Sequence, residues 1–128
     1  MREYYQVIKN MLSQTRFEAA ISSISKLLSI NPNDEHGNYY KGTCELALEK
    51  YRDSIESFNK TIKLDPSYAK AYFNLGVCYY ILKKYDPALI NIGKALIIFT
   101  KRKELDKKKR CIDALKRIEK ERIEKERI

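Results

Sequence analysis

The side chains able to do covalent or metal chemistry are few in this sequence. His36 is the single histidine, and a hydrolytic pair or a multi-histidine metal site needs partners the chain does not supply. Cys44, Cys78 and Cys111 are an odd number without CxxC spacing, which argues against a disulfide framework, a zinc site or a redox pair. Gly37, Gly42, Gly76 and Gly93 do not cluster, and neither a GxxxxGK loop nor a GxGxxG turn is present to cradle phosphate. The expectation is a protein that is not an enzyme and needs no cofactor or metal. Ten tyrosines, four phenylalanines and 26 Lys+Arg against 17 Asp+Glu remain, and these are residues of recognition rather than reaction.

The positive charge is unevenly placed. Residues 1–100 carry 13 basic and 10 acidic residues, whereas residues 101–128 carry 13 and 7. Lys101–Arg110 alone holds seven basic against two acidic side chains. Such a segment offers nucleic acid, an anionic membrane surface or an acidic protein a docking site, or serves as a solvated helix that keeps the chain soluble. With 128 residues and 44% apolar side chains, the chain has the material for one core or a short repeat array. The longest wholly aliphatic and phenylalanine run, Ala95–Phe99, is five residues, and counting tyrosine and cysteine the longest, Val77–Leu82, is six, both too short to span a membrane. Met1–Tyr5 lacks the apolar stretch of a secretory signal. The expected setting is a reducing compartment, the cytoplasm.

The elements that position these residues follow from self-comparison at an offset of 34. Pro32 and Pro66 stand 34 apart; Phe17, Tyr51 and Tyr85 keep the same step, as do Ala20, Ser54 and Ala88, and Ile24, Phe58 and Ile92. Within the third copy, Ala69, Tyr72, Phe73, Leu75, Gly76, Tyr79 and Tyr80 recur at helical spacing, and Ala88, Leu89, Ile92, Leu96 and Phe99 supply a second stripe. Helices are predicted at 2–14, 17–30, 35–48, 51–64, 69–82, 85–99 and 103–125, with no period-two strand. Asn33 or Asp34, and Ser67, are the predicted N-caps after the proline turns. Cys44 and Cys78 share a repeat position and read as small core residues, Tyr72, Tyr79 and Tyr85 as core, and Cys111 as partly exposed.

Tyr72-x-x-Leu75-Gly76-x-x-Tyr79, then Ala88, with Pro32 and Pro66 closing two copies, resembles the tetratricopeptide repeat. The resemblance implies an all-α, right-handed superhelical array of three repeats over residues 1–100 (about 1–34, 35–68 and 69–102) and a basic capping helix over 101–128. Departures are Ile8 where glycine is usual, Asn38, Lys41 and Glu45 at normally apolar positions, and Thr100 in place of proline. These predict looser packing of the second copy's first helix and a third repeat that runs directly into the cap.

In the family, the first helix of each pair lines a concave groove. The resemblance places Arg2, Tyr5, Lys9, Tyr39, Tyr40, Thr43, Lys70, Phe73, Asn74, Val77 and Lys108 on it, with Tyr5, Tyr39 and Phe73 as an aromatic row among lysines. That combination suits an extended, acidic segment of another protein. The alternative for each aromatic ring is a place in the core. A subset of the family clamps chaperone C-terminal carboxylates with Lys, Asn, Asn, Lys and Arg, as a co-chaperone does. Here only Lys70 and Asn74 stand at usable places, while Tyr5, Lys9 and Tyr40 replace three of the others.

Ile118, Ile123 and Ile128 are spaced by five, turning about 140° at each step, so they share no face. Residues 117–128 are therefore expected to project as a charge-paired, fraying helix. The resulting reading is a protein-interaction scaffold. Nucleic-acid or membrane-surface binding through Lys101–Arg110 is the alternative, and self-association through exposed helix faces a third.

Overall fold

Among the described residues, seven helices form where the repeat register places its apolar stripes: α1 (Arg2–Ser13), α2 (Phe17–Ile30), α3 (Glu35–Ala47), α4 (Tyr51–Leu64), α5 (Ala69–Ile81), α6 (Tyr85–Lys101) and α7 (Leu105–Glu126). The structure, a computed structural model, describes residues 2–14 and 16–127, with the Arg2 and Tyr4 side chains outside the described part. Among the described residues there is no strand. The chain divides into two compact units, Met1–Pro66 with α1–α4 and Ser67–Ile128 with α5–α7.

Two kinds of turn punctuate the helices. α2 and α4 stop at Asn31 and Asp65, whose φ values of −135° and −140° are the extended geometry imposed by the following proline. α3, α5 and α6 end instead on left-handed residues, Glu49, Lys83 and Lys103, with φ of 62°, 63° and 58°. In each, the next N–H reaches back five residues: Lys50 to the Glu45 carbonyl at 2.8 Å, Lys84 to Tyr79 at 2.8 Å and Glu104 to Phe99 at 3.0 Å. These bonds satisfy carbonyls that the helix end would otherwise orphan. The expectation that the third repeat runs straight into the cap is thereby corrected. Without a proline at Thr100, α6 continues to Lys101 and then breaks at a left-handed turn, as α3 and α5 do.

Asp34 caps α3, its carboxylate accepting from the Gly37 N–H at 2.8 Å. Ser67 does not cap α5. The N-cap position falls on Tyr68, which makes no side-chain cap bond, because the 34-residue register sets Tyr68 at the place of Asp34.

In the first unit, Ile8, Ala20, Ile24, Leu27 and Cys44 form a buried cluster under Tyr5, Met11, Leu12, Phe17 and Tyr40. α3 and α4 approach closely at Gly42, where an added Cβ would stand 2.8 Å from the Phe58 ring. Ser54 sits beneath the same contact and donates to the Gly42 carbonyl at 2.7 Å. Asn38 and Glu45 are buried but partnered. Asn38 Nδ2 donates to the Asp34 carbonyl at 2.8 Å, Ser57 Oγ donates to Glu45 Oε1 at 2.5 Å, and Lys41 Nζ lies 3.6 Å from Glu45 Oε2. Hydrogen bonds thus offset the cost of burying polar groups along α3. Beside them, Ser25, Leu28, Lys41 and Lys60 line an open surface pocket of about 420 Å³, while α3 buries five residues, as many as α5.

In the second unit, Ala69, Ala88, Ile92, Ala95, Phe99, Cys111 and Ile118 form the core, with Tyr72, Tyr79 and Tyr85 packed against it as expected. Cys111 is fully buried, correcting the expected partial exposure, because with Ile118 it lies on the α7 face that joins Ile92, Ala95 and Phe99 of α6 in the core. The final helix does not project. Ile118 is buried, the Tyr80 hydroxyl donates to Glu121, Lys83 Nζ lies 3.5 Å from Glu121, Arg122 lies 3.9 Å from Asp86, and Lys125 sits 5.4 Å from the Tyr85 ring centre. Ile123 stays exposed, as the five-residue spacing requires. The α5–α6 turn holds the end of α7 by polar and aromatic contacts, not by an apolar stripe.

Candidate functional site

The first unit's candidate residues lie on α1 and α3. Tyr5 meets the edge of His36 with ring centres 5.6 Å apart and lies 6.1 Å from Tyr40. Tyr40 in turn lies 5.6 Å from Tyr39, and Tyr39 leans on Phe58 at 5.8 Å. Tyr5 contacts Tyr40, the diagonal neighbour, while Tyr39 lies beyond it against α4. All three tyrosines are half-buried, so each keeps an accessible part.

The Tyr5 hydroxyl donates to Asp34, whose other oxygen caps α3. One carboxylate thus starts a helix and fixes a ring of the neighbouring one. Burial, and then this hydrogen bond, push the Tyr5 phenol above its ordinary value; burial alone does the same at Tyr40. Lys9 is exposed one turn beyond Tyr5. Thr43 donates to the Tyr39 carbonyl at 3.0 Å, so its hydroxyl is engaged by its own helix.

The second unit contributes Lys70, Phe73, Asn74 and Val77 from α5 and Lys108 from α7. Lys70 is exposed, while the other four are half-buried. Phe73 packs on the unit's core, the alternative foreseen for any helical aromatic. Val77 and Tyr80 line a cleft of about 320 Å³ whose far wall is Asp113, Ala114, Arg117 and Ile118 of α7. Near the start of α7, Lys107 bonds Glu104 at 2.9 Å and holds that carboxyl below the usual range, with Arg102 and Lys70 adding positive charge. Arg117 and Asp113 were not among the expected residues, but Tyr80 was. Tyr80 stood at a groove-facing repeat position, whereas Arg117 lies past the length of one repeat helix, where projection by register ends.

The nucleophile candidates are poorly placed for reaction. All three cysteines are buried, and none is in a disulfide. Burial pushes Cys44 and Cys111 up to about 11, with the Glu45 charge adding at Cys44. His36 is exposed beside Glu35 at 3.8 Å. No helix is long and apolar enough to cross a membrane, and among the described residues no group of His, Cys, Asp and Glu could hold a metal ion. What the surface offers is aromatic area and lysine charge.

Residues 42–83 match the family described as TPR repeat, and residues 69–98 match the family described as tetratricopeptide repeat. No curated protein sequence matches the chain. Solved structures do. The translocator chaperone SycD of Yersinia enterocolitica type III secretion is similar at a TM-score of 0.89 and 17% identity, over 94% of this chain and 84% of that one. PcrH in complex with the chaperone binding region of PopD is similar at 0.88 and 16%, over 94% and 92%. The TPR2B-domain:pHsp70 complex of yeast Sti1 is similar at 0.86 and 17%, over 94% and 96%.

Proposed function

We propose, on the premise of the tetratricopeptide repeats matched over residues 42–98, that the chain is an adaptor that holds an acidic segment of another protein without covalent chemistry. The observation that carries this reading is the run of rings on α1 and α3, exposed His36 followed by half-buried Tyr5, Tyr40 and Tyr39. Rings already packed on one another lose little side-chain freedom when a ligand covers them, so their contact area converts efficiently into affinity. In the first unit Tyr5, Lys9, Tyr39, Tyr40 and Thr43 are the proposed contacts. In the second they are Lys70, Phe73, Asn74, Val77 and Lys108. The exposed lysines select an acidic ligand and speed its capture more than they tighten it.

The same fold carries a PopD segment in PcrH and the pHsp70 complex of yeast Sti1, which supports a peptide as the ligand class here. A chaperone tail is the narrower version of this reading, and it rests on Lys70 and Asn74. Three buried cysteines outside any disulfide support a reducing, cytoplasmic setting.

The test is fluorescence anisotropy with acidic peptides, one of them ending in Glu-Glu-Val-Asp with a free or an amidated C-terminus. Binding that Lys9→Ala or Lys70→Ala weakens severalfold supports the adaptor reading. Dependence on the free carboxylate and Lys70 together supports the chaperone-tail version. Acidic peptides that bind no better than neutral ones of equal length sink the proposal.

A further inference from the structure

The solvent face of α6 combines features the peptide-binding reading leaves unused. Ile90 and Ile97 are 58% and 57% exposed, although the opposite side of the same helix carries the fully buried Ala88, Ile92 and Ala95. At about 100° per residue, Ile90, Lys94, Ile97 and Lys101 fall within about 60° of arc. Gly93 lies at the edge of this stripe with open space where a Cβ would stand. The stripe ends at the α6–α7 turn, where Lys103 occupies the left-handed position and Leu105 is 71% exposed. Among the described residues, Lys101, Lys103, Lys109 and Arg110 form no ion pair, while Lys94 lies 5.8 Å from the Tyr72 ring. The acidic groups nearby are Asp86, beside Arg122, Glu104, bonded to Lys107, and the exposed Asp106.

We propose that the α6 face and the α6–α7 turn form a docking surface for an anionic lipid bilayer. Ile90, Ile97 and Leu105 enter the interfacial layer, and Lys94, Lys101 and Lys103 meet the headgroup phosphates. Aliphatic side chains on a cationic helix face are what a bilayer interface accommodates, and the two contributions reinforce each other. A second copy is disfavoured as occupant, because association would bring two chains of net charge +9 together at their most basic segment. Single-stranded nucleic acid would use the charge but gains its stacking from aromatic rings, and this stripe has aliphatic side chains in their place. The proposal does not depend on what the α1, α3 and α5 residues bind.

The test is flotation of the full chain with phosphatidylcholine vesicles with and without phosphatidylserine. The wild-type chain is expected to float only with the anionic vesicles. Lys101→Gln/Lys103→Gln should lower partitioning about thirtyfold, at roughly 1 kcal/mol per basic residue. Ile90→Ser/Ile97→Ser leaves charge and core untouched, keeps its melting temperature, and should lower partitioning by about tenfold or more. Four outcomes overturn the proposal: no flotation, equal flotation with neutral vesicles, partitioning indifferent to the isoleucines and abolished by single-stranded DNA, or a concentration-dependent dimer that the serine variant dissolves.

Discussion

Gly76 and Gly93 allow the packing of the second unit to be tested by one chemical change made twice. Both are helical, one on α5 and one on α6. A Cβ at Gly76 would lie 2.5 Å from Ile92 Cγ1 and 3.0 Å from the Ala88 carbonyl oxygen, whereas at Gly93 it would meet nothing within 4 Å. Ordinary carbon contacts are about 3.5–4.0 Å, so α5 and α6 must part or Ile92 must leave its buried position. Overpacking of this kind costs about 1–3 kcal/mol, while replacing a mid-helix glycine by alanine gains about 0.5–1 kcal/mol. Gly76→Ala should therefore destabilise by about 1 kcal/mol or more, and Gly93→Ala should stabilise by about 0.5–1 kcal/mol. Urea unfolding followed by circular dichroism resolves the opposite signs. Ile92→Ala removes the clashing carbon, and in that background the penalty at Gly76 should shrink sharply. If Gly76→Ala stabilises as Gly93→Ala does, or costs the same with Ile92 truncated, close approach is not what holds glycine at position 76.

Glu49→Gly should raise stability by about 0.5–1 kcal/mol, since it relieves a left-handed residue with a side chain; a lowered melting temperature contradicts this. Deleting residues 117–128 should cost about 2 kcal/mol or more, because buried Ile118 is lost and Tyr80 and Tyr85 are uncovered; an unchanged melt would mean the end of α7 is not docked. The thiols of Cys44 and Cys111 titrate near 11 in the folded chain and near 9 once unfolded. The native state thus holds more protons between these values, so their contribution to stability is intact below pH 9 and declines as pH rises toward 11. Urea midpoints across that range check the decline, which Cys44→Ala/Cys111→Ala should reduce. A thiol reagent at neutral pH should react slowly with both until the chain is unfolded.

The helices were legible because each repeat marks its own ends. Pro32 and Pro66 stop α2 and α4, and the step of 34 carries the assignment from copy to copy. The reading failed where those marks are missing. Nothing at Lys103 announces a left-handed turn, since glycine, the residue that usually does, is absent. Ser67 has capping chemistry but sits one place before the register's cap. The docking of α7 escaped because apolar spacing is blind to contacts such as Tyr80 with Glu121 or Lys125 with Tyr85. The candidate surface was legible as a set of residues but not as a set of contacts. Repeat position says which helix face a ring occupies, whereas Asp34 and Phe58 decide which way Tyr5 and Tyr39 lean.

Within each unit, helices pack on neighbours along the chain: α1 on α2 and α3, α2 on α3, α3 on α4, and then α5 on α6 and α6 on α7. The order of synthesis can therefore be the order of assembly, since no helix of the first unit awaits a segment made much later. A nascent chain can close the core around Ile8, Ile24 and Leu27 once residue 66 has left the ribosome. The last segment behaves differently. Until Glu121 and Arg122 emerge, Tyr80 and Asp86 have no partner on α7, and the newborn second unit carries an open flank. A chain stalled before residue 117 is made would hold its first six helices and still offer quality-control factors an exposed aromatic handle.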